Sequence, residues 1–171
     1  ADNKLNEYIV DDYQKQKPFS SFLSGISGKM GIPLWSFYVN RGQLISSFGI
    51  RDKNSAIMEF FPANNAYHFV SRIGFRTFVK INGDVHEFFG ENNLNKQTKM
   101  RIQRGEFSIE EENNDLGLKV EVTYFGLPNE NIAALVRQVK VTNLTDKPLS
   151  FELVDGLSQL LPFKTEYGSF K

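Results

Sequence analysis

The charge balance of this chain of 171 residues excludes several classes of protein, because 20 basic and 20 acidic side chains leave no excess that would predict binding to nucleic acid or to an anionic membrane surface. The absence of cysteine excludes disulfides, a thiol nucleophile and cysteine-based metal sites, and it is compatible with the cytoplasm. No apolar run approaches the ~20 residues of a transmembrane helix. We therefore expect a globular, cytoplasmic protein without nucleic-acid or membrane partners.

Alternation of apolar and polar residues with a period of two is the main pattern along the chain, and it predicts half-buried β-strands. In the clearest case, Leu118, Val120, Val122 and Tyr124 share one face of a strand. No window of about 11 residues shows an apolar stripe at helical spacing, so we expect about ten strands and no helix. In chain order, the predicted strands are 34–39, 44–50, 56–61, 75–81, 85–89, 106–110, 116–124, the more buried 133–141, and 149–154.

Turn residues separate these runs and predict antiparallel neighbours. Asn82-Gly83 is the strongest hairpin signal, because both residues readily adopt the positive φ angles of a type I′ turn. Residues 113–115 and 145–148 are further turn signals. The predicted fold class is all-β, an antiparallel sandwich over residues 1–171. Because the segment 161–168 lacks a strand pattern, we expect this sandwich to be a truncated part of a larger one.

A mixture of aromatic and hydrogen-bonding residues in the segment 35–43 marks the candidate binding site. On a strand, Trp35 and Phe37 point one way and Tyr38 the other, and a tight turn follows. Aromatic faces cover the C–H patches of sugars while amide and guanidinium groups reach their hydroxyls, so this composition favours carbohydrate binding. The alternative is a core strand followed by an ordinary hairpin turn. The candidate sugar contacts are Trp35, Tyr38, Asn40, Arg41 and Gln43.

Two further segments have weaker functional signals. Residues 60–68 combine aromatic residues with two asparagines and His68, which is compatible with either a binding loop or a structured connection. The Gly-rich segment 24–31 lacks the spacing of a phosphate-binding loop, and we interpret it as a flexible loop near a site. Neither His68 nor His86 has a partner at metal-ligand spacing, so no metal site is expected.

The acidic runs 11–12 and 110–112 are the obvious carboxylate clusters, and glycoside cleavage needs a carboxylic acid to protonate the leaving oxygen. Both runs lie in polar stretches, so we interpret them as solvated surface charge. Asp155 follows an apolar strand, but nothing in the sequence marks it as a proton donor. No catalytic residue is therefore predicted.

Several stretches resemble the N-terminal region of one enzyme family. They include Gly31-Ile-Pro-Leu-Trp-Ser-Phe-Tyr-Val-Asn-Arg-Gly-Gln43, Phe61-Pro-Ala-Asn-Asn-Ala-Tyr67 and Gly74-Phe-Arg-Thr-Phe78, with further similarity over 19–28, 119–125 and 135–143. These segments are similar to those of cellobiose-phosphorylase-like enzymes. The most similar branch is that of the long β-glucan phosphorylases, including the 1,2-β-oligoglucan type.

The resemblance implies a β-supersandwich akin to the galactose-mutarotase-like sandwich, of which residues 1–171 form the N-terminal domain or a part. In that family the sandwich packs beside an (α/α) barrel, which this chain does not contain. The full enzymes cleave a β-glucosidic bond with inorganic phosphate as co-substrate and invert the anomeric centre, and the general acid is an Asp of the barrel. The resemblance therefore implies no catalytic residue and no cofactor here, a β-glucan oligosaccharide and the barrel as partners, and Arg76 as a further sugar contact.

Three functions remain open at this point. The first is a non-catalytic, carbohydrate-associated domain of a phosphorylase that shapes the substrate cleft or a homodimer interface and exposes an apolar patch where the barrel packs. The second is a self-sufficient carbohydrate-binding module with an aromatic platform. The third is a structural or oligomerisation domain whose aromatic residues all lie in the core. In that case Arg41 and Gln43, which we expect to face solvent, are dispensable for the activity of the whole enzyme.

Overall fold

The computed structural model describes residues 7–23, 25–48, 55, 58, 63–90 and 96–162. Within these residues the fold is all-β and antiparallel, as the sequence predicts, with one short α-helix, α1, over Ala63–Ile73. The strands described are β1 (Tyr8–Asp11), β2 (Ser20–Leu23), β3 (Ile26–Ser27), β4 (Ile32–Val39), β5 (Leu44–Phe48), β6 (Phe75–Ile81), β7 (Asp84–Phe88), β8 (Gln97–Gln103), β9 (Glu106–Asn113), β10 (Leu118–Gly126), β11 (Leu135–Asn143) and β12 (Glu152–Leu157).

These strands form three sheets. Five strands in the order β1-β8-β9-β10-β11 make the largest sheet, and three in the order β12-β6-β7 make the second. In the third sheet, β4 pairs with β2, β3 and β5. The pairings of β1 with β8 and of β12 with β6 join strands that are far apart in sequence, so the ends of the described chain are held by the five-stranded and the three-stranded sheet.

The hairpin between β6 and β7 has the turn that its residues predict. Asn82 and Gly83 have φ angles of 53° and 96°, the left-handed values that a type I′ turn requires. The strand β6 matches its predicted range, and β4, β5, β7, β9 and β10 overlap theirs. These strands carry the clearest alternation in the sequence, which explains why the prediction is confirmed there.

The main hydrophobic core contains buried residues from all three sheets. Its central residues on β10 are Leu118, Val120, Val122 and Tyr124, all fully buried on the face predicted for them. They cluster with residues of β6, β7 and β9, including Val79, which is also fully buried. Each such side chain contributes roughly 1.5–3 kcal/mol of transfer free energy, so this face of β10 dominates the stability of the sandwich.

The helix α1 overturns the expectation that the chain has no helix. It occupies 63–68 of the segment predicted as a binding loop or a structured connection, and 60–62 lie outside the described residues. Ala66, Val70 and Ile73 are buried at the spacing i, i+4 and i+7, which places them on one face of α1 against β4 and β5. Tyr67 packs against the same cluster, so apolar residues recur at helical spacing along α1 and the sequence does carry the period of a helix. The helix ends at Gly74, where a Cβ would lie 2.5 Å from the carbonyl oxygen of Val70.

The strands near the end of the described chain are correct in type but wrong in burial or bounds. The segment 133–141 is predicted to be well buried, whereas β11 begins at Leu135 and is half-buried. The segment 149–154 is predicted as a strand, whereas β12 begins at Glu152 and is mostly exposed. Each is an edge strand of its sheet among the described residues, and an edge position lowers burial on both faces.

Several remaining segments also differ from the prediction. The strands β1, β2 and β8 are not predicted, because β1 and β2 have only four residues each and β8 carries many polar residues. The Gly-rich segment 24–31 contains β3, and the buried Ser27 hydroxyl there accepts a hydrogen bond from the Ala134 N–H at 2.7 Å.

The predicted strand 56–61 lies outside the described residues except for Met58. None of the helical structure described is long and apolar enough to cross a membrane.

Candidate functional site

A cleft of about 160 Å³ lies where the 40–43 turn, the C-terminal half of α1 and the ends of β6 and β7 meet. It brings together three of the predicted sugar contacts, Arg41, Gln43 and Arg76. Glu87 and the aromatic residues Phe75, Phe88 and Phe89 also line it. Asn40 is buried in the interior and Tyr38 lines another surface, so the structure divides the described members of the predicted set.

Arg76 and Glu87 provide the accessible polar groups of this cleft. The Nε and Nη2 atoms of Arg76 donate hydrogen bonds of 2.7 and 2.8 Å to the two carboxylate oxygens of Glu87, and each side chain is 32% exposed. The hydrogen bonds to Glu87 raise the pKa of Arg76 above its ordinary value. The guanidinium also lies 4.6 Å from the ring centroid of Phe78. A bidentate pair on two adjacent strands is rigid, so it offers a ligand donors and acceptors at fixed positions.

Gln43 is buried, which corrects the expectation that it faces solvent. Its Nε2 atom donates to Thr77 Oγ1 at 2.9 Å, and its Oε1 atom accepts hydrogen bonds of 2.8 Å from both the Tyr124 hydroxyl and Arg137 Nη2. Thr77 in turn donates to Asp155 at 2.7 Å, and Arg137 forms an ion pair with Asp155. We call these five residues the Gln43 network.

The Gln43 network joins all three sheets, because its members come from the start of β5, from β6 and β12, and from β10 and β11. Burial raises the pKa of Tyr124 far above its ordinary value, so its hydroxyl stays protonated and acts as a donor. The sequence prediction used only Gln43 of this network as a site residue, and it did not use Thr77, Tyr124, Arg137 or Asp155. Their role is to satisfy buried polar groups at the junction of the sheets.

Asn40 and Arg41 hold the chain segment 13–19 rather than a ligand. The fully buried Nδ2 of Asn40 donates to the carbonyl oxygens of Tyr13, Gln16 and Lys17 at 3.0–3.1 Å, and its Oδ1 accepts from the Phe19 N–H at 3.0 Å. The Arg41 guanidinium donates to three backbone carbonyl oxygens, those of residues 14, 16 and 40, at 2.5, 3.2 and 2.8 Å. Asn40 and the Arg41 guanidinium were expected to donate to a sugar. In the structure they bond to the backbone of the protein instead.

Tyr38 lines a different surface from the cleft. Its ring is buried and stacks on Phe107 with centroids 4.4 Å apart. It contributes to a groove of about 550 Å³ beside Tyr8 and Phe19. The face predicted for Tyr38, opposite to that of Phe37, is confirmed, because Tyr38 belongs to the main core and Phe37 packs against the cluster under α1. The side chain of Trp35 lies outside the described residues.

Glu111 corrects the prediction that the acidic run 110–112 is solvated. It is fully buried, and its Oε1 lies 2.6 Å from Nζ of Lys96, whose side chain is 4% exposed. Burial raises the pKa of Glu111, although Lys96 and the Phe89 N–H act in the opposite direction. Along β9, Glu111 shares a face with the buried residues Phe107 and Ile109, so strict alternation was the signal that could have located it.

The chemistry available in the cleft is hydrogen bonding beside an aromatic surface. A guanidinium donates, a carboxylate accepts, and sugar hydroxyls do both. Among the side chains that the structure describes, no group of three or more histidine, aspartate or glutamate residues is placed to hold a metal ion. Searches of protein-family models and of curated proteins find no match to this chain.

Proposed function

We propose that this chain is a non-catalytic, carbohydrate-associated domain of a larger, cytoplasmic glycoside phosphorylase, and that the cleft at Arg76 and Glu87 contacts a β-glucan. The observation that supports this proposal best is the Arg76–Glu87 pair, in which each side chain is 32% exposed, set beside the partly exposed ring of Phe75. Paired polar groups at fixed positions next to aromatic faces suit the alternating hydroxyl and C–H surfaces of a sugar ring. The family itself is proposed from the resemblance of the sequence segments.

The size of the cleft limits what it can hold. Its volume of about 160 Å³ is below the ~300–1,000 Å³ of pockets that enclose drug-sized ligands. A single sugar unit therefore fits better than an extended chain. We infer that the rest of a glucan chain is bound by another part of the enzyme, which accords with a domain that completes a shared substrate cleft.

The carboxyl groups near the cleft support a binding role better than a catalytic one. Inverting cleavage of a glycoside needs a protonated carboxyl group that reaches the leaving oxygen. Glu87 accepts two hydrogen bonds from a guanidinium, which suits a carboxylate acceptor and not a proton donor. Glu111 has a raised pKa but is fully buried, so no substrate oxygen can reach it.

An apolar surface on β12 and the residue before it supports the proposal of a covering domain. Phe151 and Leu153 lie on the same sheet face as Ile81 and Val79 of β6, which are at most 8% exposed. Yet Phe151 and Leu153 are 37% and 42% exposed, and Val154 on the other face is 69% exposed. Exposed apolar side chains grouped on an edge strand in this way usually mark a contact with another domain or subunit. We propose that the catalytic barrel, or a second copy in a homodimer, covers it.

Titration of the isotope-labelled chain with short β-1,2-, β-1,3- and β-1,4-glucans, followed by NMR chemical shifts, tests the sugar contact. We expect millimolar binding with shifts concentrated at residues 75–76 and 87–90. Arg76→Met should abolish these shifts, because it removes the donors and keeps most of the apolar stem. The matched control is Lys80→Met on the same strand, which breaks an exposed ion pair with Glu152 and should leave binding unchanged. Absence of shifts with every glucan would contradict the proposal.

A stand-alone carbohydrate-binding module is a second candidate, favoured by the groove beside Tyr8, Phe19 and Tyr38. Its volume of about 550 Å³ lies within the range of ligand pockets, and Tyr8 is 67% exposed at its edge. The same titration distinguishes the two candidates. Shifts confined to the groove, and unaffected by Arg76→Met, would favour the binding module over the cleft.

A purely structural domain is the third candidate, favoured by the internal hydrogen bonds of Asn40, Arg41 and Gln43. It predicts that Arg76→Met leaves the activity of the complete enzyme unchanged. Under the proposed function, the same variant raises the KM for the glucan in the complete enzyme.

A further inference from the structure

A buried ion pair lies directly behind the wall of the cleft. Lys96 precedes β8 and Glu111 lies on β9, and their charged atoms are 2.6 Å apart with side-chain exposures of 4% and 0%. Lys96 Nζ also lies 5.6 Å from the ring centroid of Phe88, which lines the cleft. The pair therefore contacts the inner side of the surface whose outer side is the candidate site.

Each member of the pair also holds the backbone of that wall. Lys96 Nζ donates to the carbonyl oxygen of Glu87 at 3.0 Å, and Glu111 Oε2 accepts the N–H of Phe89 at 2.5 Å. The two bonds lie on either side of Phe88, so they fix the chain where β7 ends. The same short segment carries Glu87, whose carboxylate accepts two hydrogen bonds from Arg76.

Phe89 adopts a conformation that needs such support. Its φ angle is 63°, in the left-handed region that a bulky side chain rarely enters. The residue is nevertheless 1% exposed, with its ring in the main core. A backbone held in a sparsely populated region persists only where its surroundings enforce it, and the bond to Glu111 is the contact placed to do so.

The ionic character of the contact argues for a positional role. Burying two charges costs desolvation that their attraction only partly recovers, so apolar side chains of similar volume would stabilise the core equally well. Apolar side chains could not bond to a carbonyl oxygen and an N–H on the adjacent strand end. The pair therefore fixes the backbone conformation of residues 87–90.

We infer that Lys96 and Glu111 are positioning residues of the cleft, which hold residues 87–90 so that the Glu87 carboxylate meets Arg76. The inference rests on the proposed function for the identity of the ligand, but the positioning itself is a property of the free protein. It predicts that the wall loosens locally when the pair is removed, while the sheets remain intact.

Amide hydrogen exchange of the ligand-free protein, measured residue by residue by NMR, tests the inference. The variant carries Lys96→Met with Glu111→Leu, which removes both charges and keeps the volume filled. We expect the Phe89 N–H to exchange about 10- to 100-fold faster, as for loss of a bond to a charged group, while the Val122 N–H on β10 keeps its rate. An unchanged Phe89 rate, or one that changes only in proportion to Val122, would overturn the inference.

A second variant keeps the test decisive if the double variant does not fold. Glu111→Gln preserves the size of the side chain and one acceptor oxygen, and it removes the charge. Faster exchange at Phe89 relative to Val122 again supports the inference, and equal changes at both amides overturn it. In both variants we also expect the Arg76 Nε–H resonance to lose the shift that its bond to Glu87 causes, which a purely structural pair would not alter.

Glucan titration of the wild type and the double variant separates this inference from the proposed function. Faster Phe89 exchange in the variant, with no glucan binding by the wild type, supports the positioning role and contradicts the glucan contact. Glucan binding by the wild type together with unchanged Phe89 exchange in the variant overturns the positioning role alone.

Discussion

Two acidic runs of this chain, 11–12 and 110–112, lie in the same five-stranded sheet but in very different surroundings. The first ends β1, an edge strand of the sheet, and the Asp12 side chain that follows is 44% exposed. The second lies on β9, two strands further in, where Glu110 is 14% exposed at its side chain and Glu111 is fully buried. Strand position and strand face decide whether a carboxylate is solvated, paired at the surface or buried with a lysine.

This comparison shows what each carboxylate can do. Asp12 forms an exposed pair with Lys15 at 2.9 Å. Glu110 bridges two cations on neighbouring strands, Arg101 and Lys119. Glu111 contacts a buried lysine and the backbone of the cleft wall. The energetic contribution of the three should therefore fall in the order Glu111, Glu110, Asp12.

The largest expected effect is that of Glu111→Ala. It leaves the Lys96 charge without its partner and the Phe89 N–H without its acceptor inside the protein, so we expect the free energy of unfolding to fall by about 3–5 kcal/mol. Urea denaturation followed by circular dichroism measures this. The control is Glu112→Ala, the half-buried neighbour on the opposite face, which should change stability by no more than about 0.5 kcal/mol. Equal losses in the two variants would contradict the assigned burial.

The contribution of Glu111 to the free energy of unfolding should change with pH in the opposite direction to that of a paired surface carboxylate. Burial raises its pKa above 4.5, so between 4.5 and its raised pKa the folded state binds more protons than the unfolded state. Stability contributed at this site therefore falls as the pH rises through that window. We expect the difference in unfolding free energy between wild type and Glu111→Gln to shift against the wild type as the pH rises above 4.5. A difference that moves in the other direction would show that the pKa is lowered.

The strands with strict alternation could be predicted from the sequence, and those without it could not. β6 and β10 follow from their apolar faces, and the hairpin after β6 follows from Asn82-Gly83. The helix α1 was missed although Ala66, Tyr67, Val70 and Ile73 recur at helical spacing, because Asn64 and Asn65 were interpreted as turn residues. β8 was missed because its charged residues obscure the buried Thr98 and Met100, whose burial comes from tertiary pairing with β1 and β9.

The candidate site was predicted in part, for a physical reason. Arg76 and Arg41 do line one cleft with Gln43, but whether a polar side chain faces a ligand or the interior depends on partners far away in sequence. Gln43 is buried because Thr77, Tyr124 and Arg137 meet it from other sheets. Glu87, the partner of Arg76, was not selected, because nothing local to His86-Glu87 indicates a bidentate bond across the hairpin.

An intermediate effect is expected for Glu110→Ala. Its carboxylate lies 3.4 Å from Arg101 and 3.0 Å from Lys119 on the two neighbouring strands, and the partly exposed position limits the gain to about 1 kcal/mol. High salt should reduce this loss, because screening weakens a pair near the surface. The matched control is Glu121→Ala, which lies directly opposite Glu110 on β10. Removing that like charge should cause no loss, and a loss equal to that of Glu110→Ala would contradict the pairing.

The smallest effect is expected for Asp12→Asn, which removes the charge and keeps a residue that tolerates the left-handed φ of 47° at this position. The hydrogen bond from Lys15 lowers the pKa of Asp12 below 3.8, so the unfolded state binds more protons in that range and the stabilisation is lost as the pH falls through it. Because the pair is exposed, we expect a loss of no more than about 0.5 kcal/mol at neutral pH, and none at a pH well below 3.8. Urea denaturation of the two proteins at both pH values measures this. A loss as large as that of Glu110→Ala would show that exposure does not set the order of the three carboxylates.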